Sequence, residues 1–183
     1  MFMHPRAPAD FGWPGVVFSS NVGLALAASR AYYHPFIVSK QVTITGLMGR
    51  VSAFSSTAGA QVRFSVYAAD EFWQPGVLLL DAGTVTVDVS NGVRSITGLS
   101  LVLPPGCYLG RLQTDASAAP PSFTSSRGSP ISGTPILSSV INLRNTMSAN
   151  VAWGPAESPG TAWVDTSGSS TPMAYVLLSQ WTQ

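Results

Sequence analysis

The chain has 183 residues, of which 45% are hydrophobic and 9% charged, with a formal net charge of +1. That is one domain's worth of sequence, able to bury a core without disulfides or metals, and its near-zero charge excludes the field that would steer a protein to a nucleic acid. Charged residues usually make up about 25% of a chain; here Ser, Thr, Gly and Ala take their place, so the surface is expected to be hydroxyl-rich or covered by other chains.

Residues 1–20 form a Pro- and Gly-rich arm carrying Phe2, Phe11, Trp13 and Phe18. It is too apolar for a free tail and is expected to anchor the protein or pack against the rest, with residues 21–183 as a single domain. Pro5, Pro8, Asp10 and Pro14 interrupt any secretory signal, and no window approaches the about 20 apolar residues of a membrane span. Synthesis and folding in the cytoplasm, without membrane insertion, are expected.

Residues 21–33 are too short for a stable helix on propensity and predict an extended first strand or a loop with a little helix. Phe36, Val38, Val42 and Ile44 predict a strand, and Leu47 to Phe54 the next. After a small-residue loop at Ser55 to Ala60, Val62, Phe64 and Val66 point inward, opposite Arg63, Ser65 and Tyr67. Pro75-Gly76 predicts a turn, and Val85, Val87 and Val89 are in phase for a strand. Asn91-Gly92 predicts a tight hairpin because both residues tolerate positive φ.

Val93 to Leu103 reads as a strand that Pro104, Pro105 and Gly106 separate from the strand Cys107 to Thr114. Asp115 to Thr134 reads as a long loop. Further strand-like runs lie at Val140 to Leu143 and Asn150 to Trp153, followed by a Pro/Gly-rich link at Gly154 to Gly160. In the closing run Pro172 to Trp181, Met173, Tyr175 and Leu177 alternate with Ala174, Val176 and Leu178, so both faces are apolar. Such a strand needs a cover, either the arm or another subunit, which makes Tyr175, Leu177 and Trp181 candidate oligomer contacts. The whole grammar is that of an all-β antiparallel β-sandwich with an extended N-terminal arm.

Catalysis needs a group titrating near neutrality or a metal. His4 and His34 are too few for a metal centre, and His34 is expected at a strand edge. Cys107 has no partner cysteine, is expected as a core thiol, and has no spacing to His34 that marks a nucleophilic pair. Asp70-Glu71 with Asp81 or Asp88 are the nearest candidates for a glycosidase pair, but adjacent strand residues face opposite sides, and a solvated turn explains Asp70-Glu71 better. P-loop, GxSxG and EF-hand patterns are absent from the sequence. A non-enzymatic protein without cofactor or metal is expected.

Aromatic residues in loops are the remaining chemistry. Trp73 with Asp70 and Gln74 in the turn EFWQPG, and Trp163 with Asp165, are candidate glycan sites, in which a sugar's apolar face stacks on indole and polar neighbours bind its hydroxyls. The alternative is that these tryptophans, with Trp153, cap the sandwich or fill subunit contacts.

The segments YYHPFIVSKQVTITGL, VRFSVYAADEFWQPGVLLLDAGTVTV and LSLVLPPGCYLGRLQT together resemble a jelly-roll-like β-sandwich domain of tailed-bacteriophage virion proteins, such as head fibres, decoration proteins and tail-fibre components. The matching positions are Tyr33 to Phe36, Val66 to Asp70, Pro75 to Leu79 and Leu101 to Tyr108, and the resemblance spans Leu24 to Thr114. It implies a homotrimer attached to other capsid or tail proteins, with host surface polysaccharide as a further partner of some such proteins. Cys107 stands where that family often has a bulky aromatic, and the resemblance fixes no catalytic residue.

Overall fold

Alternating apolar residues from two layers meet in one core: Val42, Ile44, Leu47 and Val51 on one side, Val62, Phe64 and Val66 with Phe36, Tyr108 and Leu112 on the other. Burying them from both sides is what makes two sheets face each other. The computed structural model describes residues 18–38, 40–128, 146–162, 164–166, 171–172 and 174–181. Its strands in chain order are β1 (Phe18–Ala25), β2 (Arg30–Val38), β3 (Val42–Ala53), β4 (Gln61–Ala69), β5 (Pro75–Thr86), β6 (Gly92–Leu103), β7 (Gly106–Thr114), β8 (Ser122–Gly128), β9 (Thr146–Asn150), β10 (Val164–Thr166), β11 (Thr171–Pro172) and β12 (Ala174–Trp181).

One sheet runs β1-β8-β3-β12, with β6 also on β3 and β11 on β8; the other runs β10-β9-β2-β7-β4-β5. Every pairing among the described residues is antiparallel. Strand β3 pairs with β6 from Val42 to Val51 and with β12 from Val42 to Gly49, so these two lie on its opposite edges. The chain is therefore an all-β sandwich of two antiparallel sheets, as its alternation predicts. Val93 to Leu103 and Cys107 to Thr114 are strands as read, and the first strand is extended.

Several local readings need correction. The break between the second and third strands lies at residues 39–41, and Val42 to Ala53 is one strand that absorbs an irregularity at Ile44/Gly46. Pro75 and Gly76 begin β5, because the turn before them is closed one step earlier by Asp70 and Gln74. The stretch Asp115 to Thr134 contains β8, whose Phe123 is fully buried. Cys107 is half-buried at the margin of a second cluster instead of inside the core.

Asn91-Gly92 makes no hairpin, since β5 and β6 belong to different sheets. Val87 enters the core, its N–H bonds to Ala60 O and its carbonyl accepts from Ser55 N, which draws the chain across from one sheet to the other. Gly92 has a φ of 127°, while the Asn91 side chain accepts from Phe54 N. The turn signal is used for a crossover between layers, because Val87 before it gains more by burial in the core than by pairing at an edge, while Val89 beyond it is left exposed.

Candidate functional site

The polar chemistry of the described chain gathers on the outer face of the β2-β7-β4-β5 sheet. On β7, Leu109, Arg111 and Gln113 share one face by the period of two, and all three are buried. Arg111 is only 1% exposed. A guanidinium so placed needs acceptors, because an unpaired buried charge is costly; both of its terminal nitrogens find them, while its Nε is buried without one. It bonds to the Tyr67 hydroxyl at 2.9 Å, to Glu157 Oε2 at 2.7 Å and to Gln113 Oε1 at 2.6 Å.

Its cover is the segment 151–162, a strap that leaves β9, crosses the sheet to β5 and returns to β10. Gln113 Nε2 donates to the carbonyls of Val151 and Ala152, Tyr67 to the carbonyl of Glu157, and Tyr33 to that of Thr161. At the far edge, Gly160 N donates to Gly76 O, and Leu78 N to the Ser158 hydroxyl. Arg63 forms a 2.6 Å ion pair with Asp81 and sits 5.6 Å above the Trp153 ring, while Asp81 also accepts from Ala156 N. Beneath the strap, Ala31, Tyr33, Tyr67, Trp73, Leu109 and Ala149 form a second apolar cluster. Ser65 and Tyr67, read from the sequence as outward-facing, are buried for this reason.

The titration of these groups is shifted away from neutrality. Burial raises the Tyr33 and Tyr67 phenols despite the nearby Arg111 charge. Burial alone would raise Glu157, but hydrogen bonds from its own and Thr161's backbone N–H and the Arg111 charge hold it below the ordinary carboxylate range. Burial pushes the Cys107 thiol up. His34 lies opposite Gly110 on β7 with its Nδ1 sealed from solvent, and burial lowers it to about 4.

The turn 70–74 is a compact clamp. Asp70 Oδ1 accepts from both Phe72 N and Gln74 N, Trp73 N donates to Asp70 O, and Asp70 N donates to Gln74 O. Trp73 has a φ of 60°, a left-handed conformation seldom occupied by a large side chain, and its indole is 8% exposed within the second cluster. Phe72 beside it is 68% exposed. The ring that this turn presents to solvent is therefore Phe72's, and the Trp73 face expected to receive a sugar is turned into the fold. Asp70 is spent on the turn's own backbone.

The other carboxylate candidates also have structural partners: Asp81 takes Arg63, and Asp88 Oδ2 accepts from Gly59 N at 2.6 Å. Asp165 lies in β10 opposite Met147, and Trp163 lies outside the described residues. Phe18 begins β1 opposite Gly128, so β1 starts within the expected arm; Phe2, Phe11 and Trp13 lie outside the described residues. In β12, Tyr175, Leu177 and Trp181 pair with Met48, Gly46 and Val42 of β3. Among the described residues no group of three or more His, Cys, Asp and Glu is placed to hold a metal, and no helix is long and apolar enough to cross a membrane.

Arg111, Gln113 and Glu157 were not singled out by sequence. The signal for the first two is present as an Arg-x-Gln pair in phase with Leu109 on a strand otherwise without charge; Glu157 lies 46 residues away from Arg111, and no local pattern announces it. No protein-family model, curated protein or solved structure matches the chain.

Proposed function

We propose that the chain is a non-enzymatic structural protein of a bacteriophage virion, a jelly-roll-like sandwich with an N-terminal arm that associates with copies of itself, three being the expected number, and attaches to capsid or tail proteins. Made in the host cytoplasm, it would end in the particle. The resemblance of the segments from Leu24 to Thr114 supplies the virion context. The observation that supports a structural role is the use made of the acidic residues: Asp70, Asp81, Asp88, Asp115 and Glu157 each accept a backbone N–H or an arginine that holds a turn, a loop or the strap in place. Carboxylates committed to such structural contacts are not free to act on a substrate.

The test is co-sedimentation of the purified full chain with particles that lack it. Binding that saturates at a fixed number of copies per particle is expected; a protein that stays in the supernatant overturns the virion reading. A glycan-binding role is the second reading, favoured by the exposed Phe72 ring on its clamped turn. Phe72→Ala should then weaken binding to host polysaccharide about two- to tenfold, by the loss of about 0.5–1.5 kcal/mol of stacking, and an unchanged affinity would remove it.

A further inference from the structure

We infer that copies of this chain meet along the β5/β6 flank, its occupant being the β5/β6 flanks of neighbouring copies gathered about one shared axis, the β5 edge of one facing the β6 edge of the next. The inference rests on the self-association proposed above and names its surface.

Both strands are the last in their sheets: β5 pairs with β4 and β6 with β3, and among the described residues no strand pairs with the outer edge of either. They lie against one another along one side of the sandwich. The core is left ajar there. Leu79, Leu80 and Val85 of β5 and Ile96, Leu99 and Leu101 of β6 pack against the central cluster yet are only partly buried, whereas the core residues of β3, β4 and β7 are sealed. On the outer side of β6, Val93 and Val102 are exposed as well.

Edges of this kind are normally protected by charge, proline or a covering loop, because a long uncharged edge invites another strand. Strand β6 has 12 residues and one charge, Arg94, whose guanidinium is turned back onto the carbonyls of Thr86 and Ser90. The Asp81 charge on β5 is matched by Arg63. The strap reaches β5 at Gly76, Leu78 and the Asp81 side chain, from the start of the strand to its middle. The flank therefore offers an apolar seam without an uncompensated charge, and a second copy brings no like-charge conflict to it.

Its size is adequate. Twelve residues at about 3.3 Å span about 40 Å, and two edges about 10 Å apart with their side chains make a strip about 15 Å wide. That is about 600 Å² on each partner, or about 1,200 Å² in total, the lower bound of specific interfaces. A polar partner would leave the leucines wet, and the seam's own apolar pattern is the complement at hand.

The full chain and two variants, Ile96→Lys/Leu101→Lys and Ile96→Ala/Leu101→Ala, are compared by sedimentation equilibrium, with circular dichroism as the check of folding. The expected result is an oligomer for the full chain, a folded monomer for the lysine variant, and association at least tenfold weaker for the alanine variant. A folded lysine variant that keeps the parent mass overturns the seam while self-association stands. Should the lysine variant fail to fold, an alanine variant that associates as tightly as the parent overturns it equally. A monomeric parent chain removes both the seam and the self-association it rests on.

Discussion

Trp73 holds a backbone conformation that suits glycine, and its indole burial offsets the strain. A left-handed residue with a Cβ costs about 1–2 kcal/mol, while losing a buried indole costs about 3–5 kcal/mol. The two effects separate in a pair of variants. Trp73→Ala loses the ring and keeps the strain; Trp73→Gly loses the ring and relieves it. Chemical denaturation should therefore find Trp73→Gly more stable than Trp73→Ala by about 1 kcal/mol, although glycine ordinarily weakens a fold. The opposite order would mean that the turn is not held as described. The turn itself was readable from Asp70-Glu71, Pro75-Gly76 placed it too late because those residues open β5, and the direction of Trp73 was not readable because a buried left-handed tryptophan leaves no local pattern in the sequence.

Arg111 belongs to the same scale. Its guanidinium joins a strand, a neighbouring tyrosine and the strap through three acceptors. Arg111→Met leaves the Gln113 carbonyl and Glu157 without that donor, and a loss of about 3–5 kcal/mol is expected by analogy with other broken buried pairs. A loss below about 1 kcal/mol in urea unfolding would contradict the role given to this side chain.

At the scale of elements, the strap lies close to the sheet because residue 160 is glycine. A Cβ there would sit 2.7 Å from Pro75 Cβ and 2.8 Å from Tyr67 Cε1, so Gly160→Ala must push the strap away from β5. We expect a loss of about 1–3 kcal/mol and faster hydrogen exchange at the amides of Leu78 and Gly160; protection equal to the parent's would show that the strap accommodates the methyl. Strands with a clear alternation, such as β4 and β7, were legible from sequence. Which strands pair was not: Asn91-Gly92 is a good turn whose flanking strands enter different sheets, and only the burial of Val87 between layers decides that. The strap reads as a Pro/Gly-rich link for the same reason, since its contacts are with residues 38 to 128 positions away.

For the whole molecule, the buried groups set a pH window. His34 is lowered to about 4 from an ordinary value near 6.5. The unfolded chain therefore takes up a proton that the folded one refuses, and stability falls as pH drops from about 6.5 toward 4. Glu157, held low, adds stability that is present above the ordinary carboxylate range and lost as pH falls through it. Tyr33 and Tyr67 are raised, so the unfolded chain loses protons first as pH climbs past about 10, and stability declines there too. Thermal melts should show a plateau between about pH 7 and 9. His34→Gln should flatten the acid side above pH 4, and an unchanged acid slope in that variant would assign the loss to other groups.

Low charge was the sequence's clearest statement about the whole molecule, and the half-open seam between β5 and β6 gives that neutrality a place. Sequence alone put the apolar cover on the closing strand, where Tyr175, Leu177 and Trp181 pair with β3; the seam was not legible because it is made by two strands of different sheets brought side by side. The central claim is that copies of the chain assemble. It is tested most directly by the mass of the full chain in solution at micromolar concentration: an integral multiple of 19.1 kDa, three being the expected number, is predicted, and a mass of 19.1 kDa alone would contradict it.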